Sequence, residues 1–287
     1  MHIDELSAAA ENTIRREDWI TTAGFGNDAI RRHYDVMSLW YRLFWGEHLH
    51  HGWFSSGEES PRKSQVEMLR QCASMVEMRQ GARVLDVGCG YGGTAIYLAS
   101  EFGCRVDGLS LSSRQLRIAR RRARSADLGM LANFQLQDAE TFNYPTNRYD
   151  FAWTMESSEH FDNKLEYCRR VRNTLRRNGR LLLAAWTGSM EHSRVRSVAR
   201  HFVCPRLWTA EEYLDAIQAS GMQVEQVLDA TFFVMPTWQI CLRRIERFRK
   251  VRVFFPQEVR SFAEGVAVIL DAYLSGELTY TVLTARR

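Results

Sequence analysis

The chain has 287 residues, 45% hydrophobic and 25% charged, which is enough to bury a sizeable core and carries no signature of disorder. Its 38 Lys and Arg against 34 Asp and Glu leave a net charge of +4, with only Lys63, Lys164 and Lys250 as lysines. That charge is spread over helical segments instead of gathered on one face, which argues against a nucleic-acid partner, and no apolar run approaches the ~18 residues of a membrane span.

Met1 to Arg16 lacks an apolar signal-peptide core, so a cytoplasmic protein with no stable membrane anchor is expected. The six cysteines are scattered, with no C-x-x-C pair and no Cys/His metal spacing; buried thiols and no metal are expected.

Residues 1–80 read as an N-terminal helical cap. Ala8 to Trp19 and Ile30 to Phe44 have helical periodicity, Pro61 to Val76 follows a proline suited to a first helical turn, and the run Trp45 to Phe54 fits no regular pattern. From Gly81 the pattern alternates. Strands are expected at Arg83 to Val87, Cys104 to Leu109, Phe134 to Gln137, Tyr149 to Thr154 and Arg180 to Trp186. Helices fall between them at Gly93 to Glu101, Ser113 to Ser125 and Lys164 to Arg176. Met190 to Pro205 reads as a connection, Thr209 to Ser220 as a helix capped by Thr209, and Met222 to Leu228 as a sixth strand. Residues 231–276 read as a basic helical lid, and 277–287 as a closing strand of the 81–230 core. Such alternation predicts an α/β fold, a Rossmann-like, seven-stranded, mainly parallel sheet covered on both faces. Ligands bind at the carboxyl ends of such strands.

The chemistry concentrates after the first strand, where Asp86 runs into Gly88-Cys89-Gly90-Tyr91-Gly92-Gly93 and then a helix. Glycines there let the backbone turn and approach a ligand, and a helix N-terminus offers free N–H groups. The spacing fits a dinucleotide fingerprint only loosely, and such a domain would open nearer the N-terminus.

Asp86 before Gly-Cys-Gly-x-Gly resembles motif I of class I S-adenosylmethionine (SAM) methyltransferases. That resemblance implies SAM as cofactor, with Gly88, Cys89 and Gly90 giving backbone contacts to its methionyl part and Asp86 holding the loop or the amino group. Most of that class carry an acid after the second strand. Here Ser110 stands in its place, aided by Gln115, and Asp107 lies three residues too early. Asp138 and the Ala139 N–H are expected on the adenine.

Two further strings narrow the resemblance. Trp45-Gly46-Glu47-His48-Leu49-His50-His51-Gly52 and Met155-Glu156-Ser157-Ser158-Glu159-His160, with Tyr34-Asp35, resemble the γ-tocopherol methyltransferase and cyclopropane-fatty-acid-synthase-like branch. This branch methylates small, often lipophilic acceptors. It implies that His51 and Gly52 close over the methionyl end, that Glu156 joins the cofactor site, and that Glu159, His160 and Tyr34 face the reacting centre. Glu159 would stabilise charge and His160 would take a proton; the alternative is a helix-capping acid and a structural histidine. Trp45, His48, Trp53, Trp186 and Tyr213 are candidates for the acceptor pocket. Arg243 and Arg247, on a basic helix that otherwise reads as a solvated face, are candidates to clamp a diphosphate.

The leading expectation is C-methylation of an isoprenoid, such as a prenyl diphosphate, or of a prenylated aromatic. N- or O-methylation of a small amine, alkaloid or sugar is the alternative, and a SAM-binding protein without turnover a third. A homo-oligomer stays open.

Overall fold

The computed structural model describes residues 26–44, 48–248 and 255–287. The predicted helix over Ala8 to Trp19, the pocket candidate Trp45, and Arg249, Lys250 and Arg252 lie outside them.

Nine α-helices and seven strands are formed among the described residues. Helix α1 (Asn27–Phe44) buries Ile30, His33 and Met37. Helix α2 (Pro61–Met75) starts where the Ser60 hydroxyl accepts the Lys63 N–H. Strand β1 (Arg83–Val87) leads into α3 (Gly93–Phe102), β2 (Arg105–Ser110) into α4 (Ser113–Ser125), and β3 (Ala132–Leu136) crosses to β4 (Tyr149–Met155). A single 3-10 turn, Ser158–His160, precedes α5 (Lys164–Thr174), which runs without a loop into β5 (Leu175–Gly188). Then come α6 (Ser193–His201), α7 (Ala210–Ala219), β6 (Gln223–Asp229), α8 (Thr231–Glu246), α9 (Gln257–Leu274) and β7 (Leu278–Arg286).

The strand order is β3-β2-β1-β4-β5-β7-β6. The first five strands are parallel, and β7 runs antiparallel to both β5 and β6. Strand β5 shows why these segments read as continuous apolar runs. Leu182, Ala184 and Trp186 enter one core layer with α2, α3, α8 and α9, whereas Leu181, Leu183 and Ala185 enter the other with α5 and α7.

Two expectations needed correction. Strand β5 begins at Leu175, because residues 176–179 bulge out of register with β4 and turn through Asn178 at a positive φ of 62°. The segment read as a connection contains α6, in which Val195, Val198 and Ala199 are buried at helical spacing between exposed or half-exposed arginines. Helices α8 and α9 bury Val234, Trp238, Val259 and Phe262 in the first core layer. No helix among the described residues is long and apolar enough to cross a membrane.

Candidate active site

One cleft opens at the carboxyl ends of β1 to β5, roofed by α1 and walled by α8 and α9. On one side lie Asp86, Gly88 to Gly90, Ser110, Gln115, Asp138 and Ala139; on the other lie Tyr34, Glu159, His160, Trp186, Phe202, Trp238 and Phe262.

The first side is mostly backbone and short polar side chains. Gly88 has a φ of +81°, and a Cβ there would run into the Ser157 side chain. Its N–H and that of Cys89 both donate to the Leu109 carbonyl, at 3.0 and 2.9 Å, so these amides fix the loop onto β2 instead of facing a ligand. Asp86 is almost fully buried, and burial pushes its carboxyl up to about 7 against the pull of the Ala95 N–H. Its Oδ2 meets no hydrogen-bond partner among the described residues. The Ser110 hydroxyl donates to Gln115 Oε1 at 2.9 Å and accepts the Ser112 N–H at 3.1 Å. Asp107 turns away, bonding Asn133 and Tyr149. The Asp138 carboxylate accepts the Glu140 N–H at 2.8 Å.

SAM presents an ammonium, ribose hydroxyls and an adenine amine, all donors. A row of acceptors at Asp86, Ser110 with Gln115, and Asp138 therefore fits it.

The histidine run is divided by the fold. His48 borders the Gly93 turn, on the cofactor side of the cleft and away from the acceptor wall. His50 Nδ1–H donates to the His51 carbonyl at 2.8 Å, so His50 Nε2 accepts from His48 Nδ1–H at 3.2 Å. His51 and Gly52 lie outside the cleft lining, a departure from their expected place over the methionyl end. The reason is that His51 serves Glu156: its backbone N–H reaches Oε1 and its ring Nδ1 reaches Oε2, both at 2.8 Å. Tyr280 OH adds a third bond at 2.7 Å. Burial acts to raise the Glu156 carboxyl, but the charge and hydrogen bonds of His51 outweigh it and hold the group below its ordinary value. Gly52 donates to Thr237 Oγ1, with Ser64 packed where its Cβ would be.

On the acceptor side, the turn after β4 meets α1. Tyr34 OH and His160 Nε2 are 2.7 Å apart, and His160 Nδ1 is 3.1 Å from the Val203 carbonyl. A carbonyl only accepts, so Nδ1 carries the proton, Nε2 is the acceptor and Tyr34 donates. Val203, a β-branched residue at φ +57°, is held in a strained conformation to aim that carbonyl. Burial pushes the His160 imidazole down to about 4, although the Val203 bond works the other way. Burial also pushes Glu159 up to about 8, while its Oε1 accepts the Trp186 N–H at 2.9 Å. Buried Lys164 donates its ammonium to the carbonyls of Phe161 and Arg206, at 2.7 and 3.0 Å, tying the turn to the segment after α6.

Several candidates are not brought to the cleft. Trp53 stacks on Phe233, ring centroids 4.1 Å apart. Tyr213 lies behind the turn, bonded to Ser158 Oγ at 2.9 Å. Arg243 and Arg247 are exposed and outside the lining. Conversely, Phe202, Val203, Trp238 and Phe262 were not anticipated. Phe202 and Val203 sit in the stretch read as a connection, and Phe262 is one apolar position among many in α9. Among the described residues no group of His, Cys, Asp and Glu is placed to hold a metal.

This strand order, with a reversed seventh strand and a cofactor cleft at the carboxyl ends of β1 to β3, defines a class I SAM-dependent methyltransferase. Residues 25–238 match the mycolic acid cyclopropane synthetase family, and the chain belongs to it. It is 30% identical over 267 residues to 27-O-demethylrifamycin SV methyltransferase of Amycolatopsis mediterranei (strain S699), covering 90% of this chain and 96% of that one. It is 22% identical over 298 residues to the chloroplastic tocopherol O-methyltransferase of Arabidopsis thaliana, covering 93% and 85%. Among solved structures, the cyclopropane synthase MmaA2 from Mycobacterium tuberculosis shares the fold at a TM-score of 0.82, with 18% identity over 91% of this chain and 98% of that one.

Proposed function

We propose that the enzyme transfers a methyl group to a hydroxyl oxygen of a bulky, lipophilic small molecule. The observation that carries this reading is the Tyr34–His160 pair, whose outward hydrogen-bonding capacity is that of a neutral base. SAM, held by Asp86, the Gly88 to Gly90 loop, Ser110 with Gln115, and Asp138, supplies an electrophilic methyl group when bound. What remains for the chain is to align an acceptor and take one proton, and alignment provides much of the rate.

An alcohol or phenol resting against Tyr34 gives its proton toward His160 Nε2 as its oxygen becomes alkylated. An oxygen that is acquiring a methyl group is strongly acidic, so an imidazole held near 4 is a sufficient base. Ile30, Phe202, Trp238 and Phe262 make the rest of the wall apolar and exclude water. The rifamycin and tocopherol relatives, whose names specify oxygen methylation, are consistent with this choice.

C-methylation of an isoprenoid or prenylated aromatic is the second reading, favoured by the aromatic wall, which suits a carbocation. Against it, a Glu159 held up near 8 is mostly uncharged at neutral pH. Among the described residues Arg31 is the only arginine or lysine that lines the cleft, and it pairs with Asp28 at 2.9 Å, a poor provision for a diphosphate. Turnover of a panel of phenols, polycyclic alcohols and prenyl diphosphates with 13C-methyl SAM, read by NMR, decides between them. Methoxy products are expected, and C-methyl products alone would overturn the proposal.

A further inference from the structure

Two polar atoms in the acceptor wall have no partner among the described residues: Glu159 Oε2 and the indole Nε1 of Trp186, both buried. Both residues line the same cleft, and the Trp186 backbone N–H donates to Glu159 Oε1. The protonation of Glu159 follows from its surroundings. Lys164 spends its ammonium on the carbonyls of Phe161 and Arg206, and the carboxylate of Glu156 repels a second negative charge. A buried carboxyl without a counter-ion is neutral. Its proton sits on Oε2, because Oε1 is already the acceptor of a peptide N–H. The wall therefore holds an O–H donor and an N–H donor and, among the described residues, offers neither an acceptor.

One atom with two lone pairs and no hydrogen of its own satisfies such a pair. A hydroxyl would bring a surplus proton into the same dry wall, and an amine a surplus of several. We infer that Glu159 and Trp186 form a carbonyl-reading subsite, so that the acceptor carries a ketone, quinone or lactone oxygen a few bonds from the hydroxyl that is methylated. The inference rests on the oxygen-methylation reading only for where the acceptor lies; it concerns a different atom of that acceptor. It also gives Glu159 a role apart from His160: one residue reads the substrate, and the other takes its proton.

The test is a calorimetric titration of the protein saturated with S-adenosylhomocysteine. The probes are 5-hydroxy-1-tetralone and 5,6,7,8-tetrahydro-1-naphthol, which differ by the carbonyl alone. The ketone is expected to bind about tenfold more tightly or better. That ratio should collapse toward one in Glu159→Ala and in Trp186→Phe, which keeps the aromatic bulk, and should survive in Glu159→Gln, which keeps a donor. S-adenosylhomocysteine affinity, read on the same samples, verifies that each variant is folded. Equal affinity for the two probes, a ratio that persists in both deleting variants, or rejection of both probes would overturn the inference. So would a water molecule fixed between the two donors that stays in place when the ketone is bound. The NMR assay of product type is independent: ketone preference with C-methylated products would keep the subsite and sink the oxygen-methylation reading, and methoxy products without ketone preference would do the reverse.

Discussion

The two halves of the cleft are built on different principles. Apart from His48 beside the Gly93 turn, the cofactor half comes mainly from three short stretches, 86–93, 108–115 and 137–140, each a strand end and the turn that follows it. The acceptor half draws single side chains from α1, the turn after β4, the end of β5, the end of α6, α8 and α9, and its central bond joins residues 126 positions apart. The first half specifies what is held through backbone geometry, and the second specifies what is received through side chains that only the tertiary fold assembles.

The contrast is open to breaking at its strongest point. His160→Ala should lower kcat by about a thousandfold while S-adenosylhomocysteine affinity stays within about threefold, since the imidazole touches only the acceptor half; an equal loss of affinity would merge the two halves. The pH profile sharpens the same point. With the imidazole held near 4 instead of 6.5, the acid limb of kcat/KM should fall near pH 4 and vanish in the variant. The folded His160 refuses a proton that the unfolded chain binds, so stability should drop as pH falls from 6.5 to 4. Glu159 works oppositely. Raised to about 8, it binds a proton that the unfolded chain releases, and its contribution should be lost as pH rises through 8, a trend visible in Tm against pH.

On the cofactor half, Gly88→Ala forces a Cβ into Ser157 and a non-glycine residue to φ +81°, so S-adenosylhomocysteine affinity should fall about a hundredfold, ~2.7 kcal/mol. Affinity unchanged in that titration would mean the loop yields more easily than its packing implies. The smallest effect belongs to Arg243→Ala and Arg247→Ala. Exposed and away from the cleft, they should change acceptor KM by less than about twofold, and a selective rise would restore the diphosphate clamp.

The same contrast explains what was legible. The glycine loop, Ser110 in place of an acid, and Asp138 could be placed from sequence because each is fixed by its neighbours in the chain. The sheet was legible for the same reason, as apolar runs between turn residues. Helix α6 was hidden because Arg194, Arg196 and Arg200 interrupt a nine-residue segment too short for its periodicity to show. Trp53 and Trp186 were both candidates for the acceptor pocket, yet one stacks in the core on Phe233 and the other lines the cleft. Local sequence has no means of telling them apart. His51 and Gly52 were placed one layer too far forward because a motif names residues that belong to a site without saying which of them touch the ligand and which hold another side chain in place.

The carbonyl of Val203 has an evolutionary consequence. In the proposed mechanism, the nitrogen of His160 left to accept a proton is dictated by a main-chain oxygen, and no substitution at that position removes an oxygen that every amino acid carries. Mutation can retune the aromatic wall freely, trading one lipophilic acceptor for another, while the tautomer that receives the proton is inherited unchanged. An enzyme arranged this way is able to diversify its substrates without re-inventing its proton transfer each time.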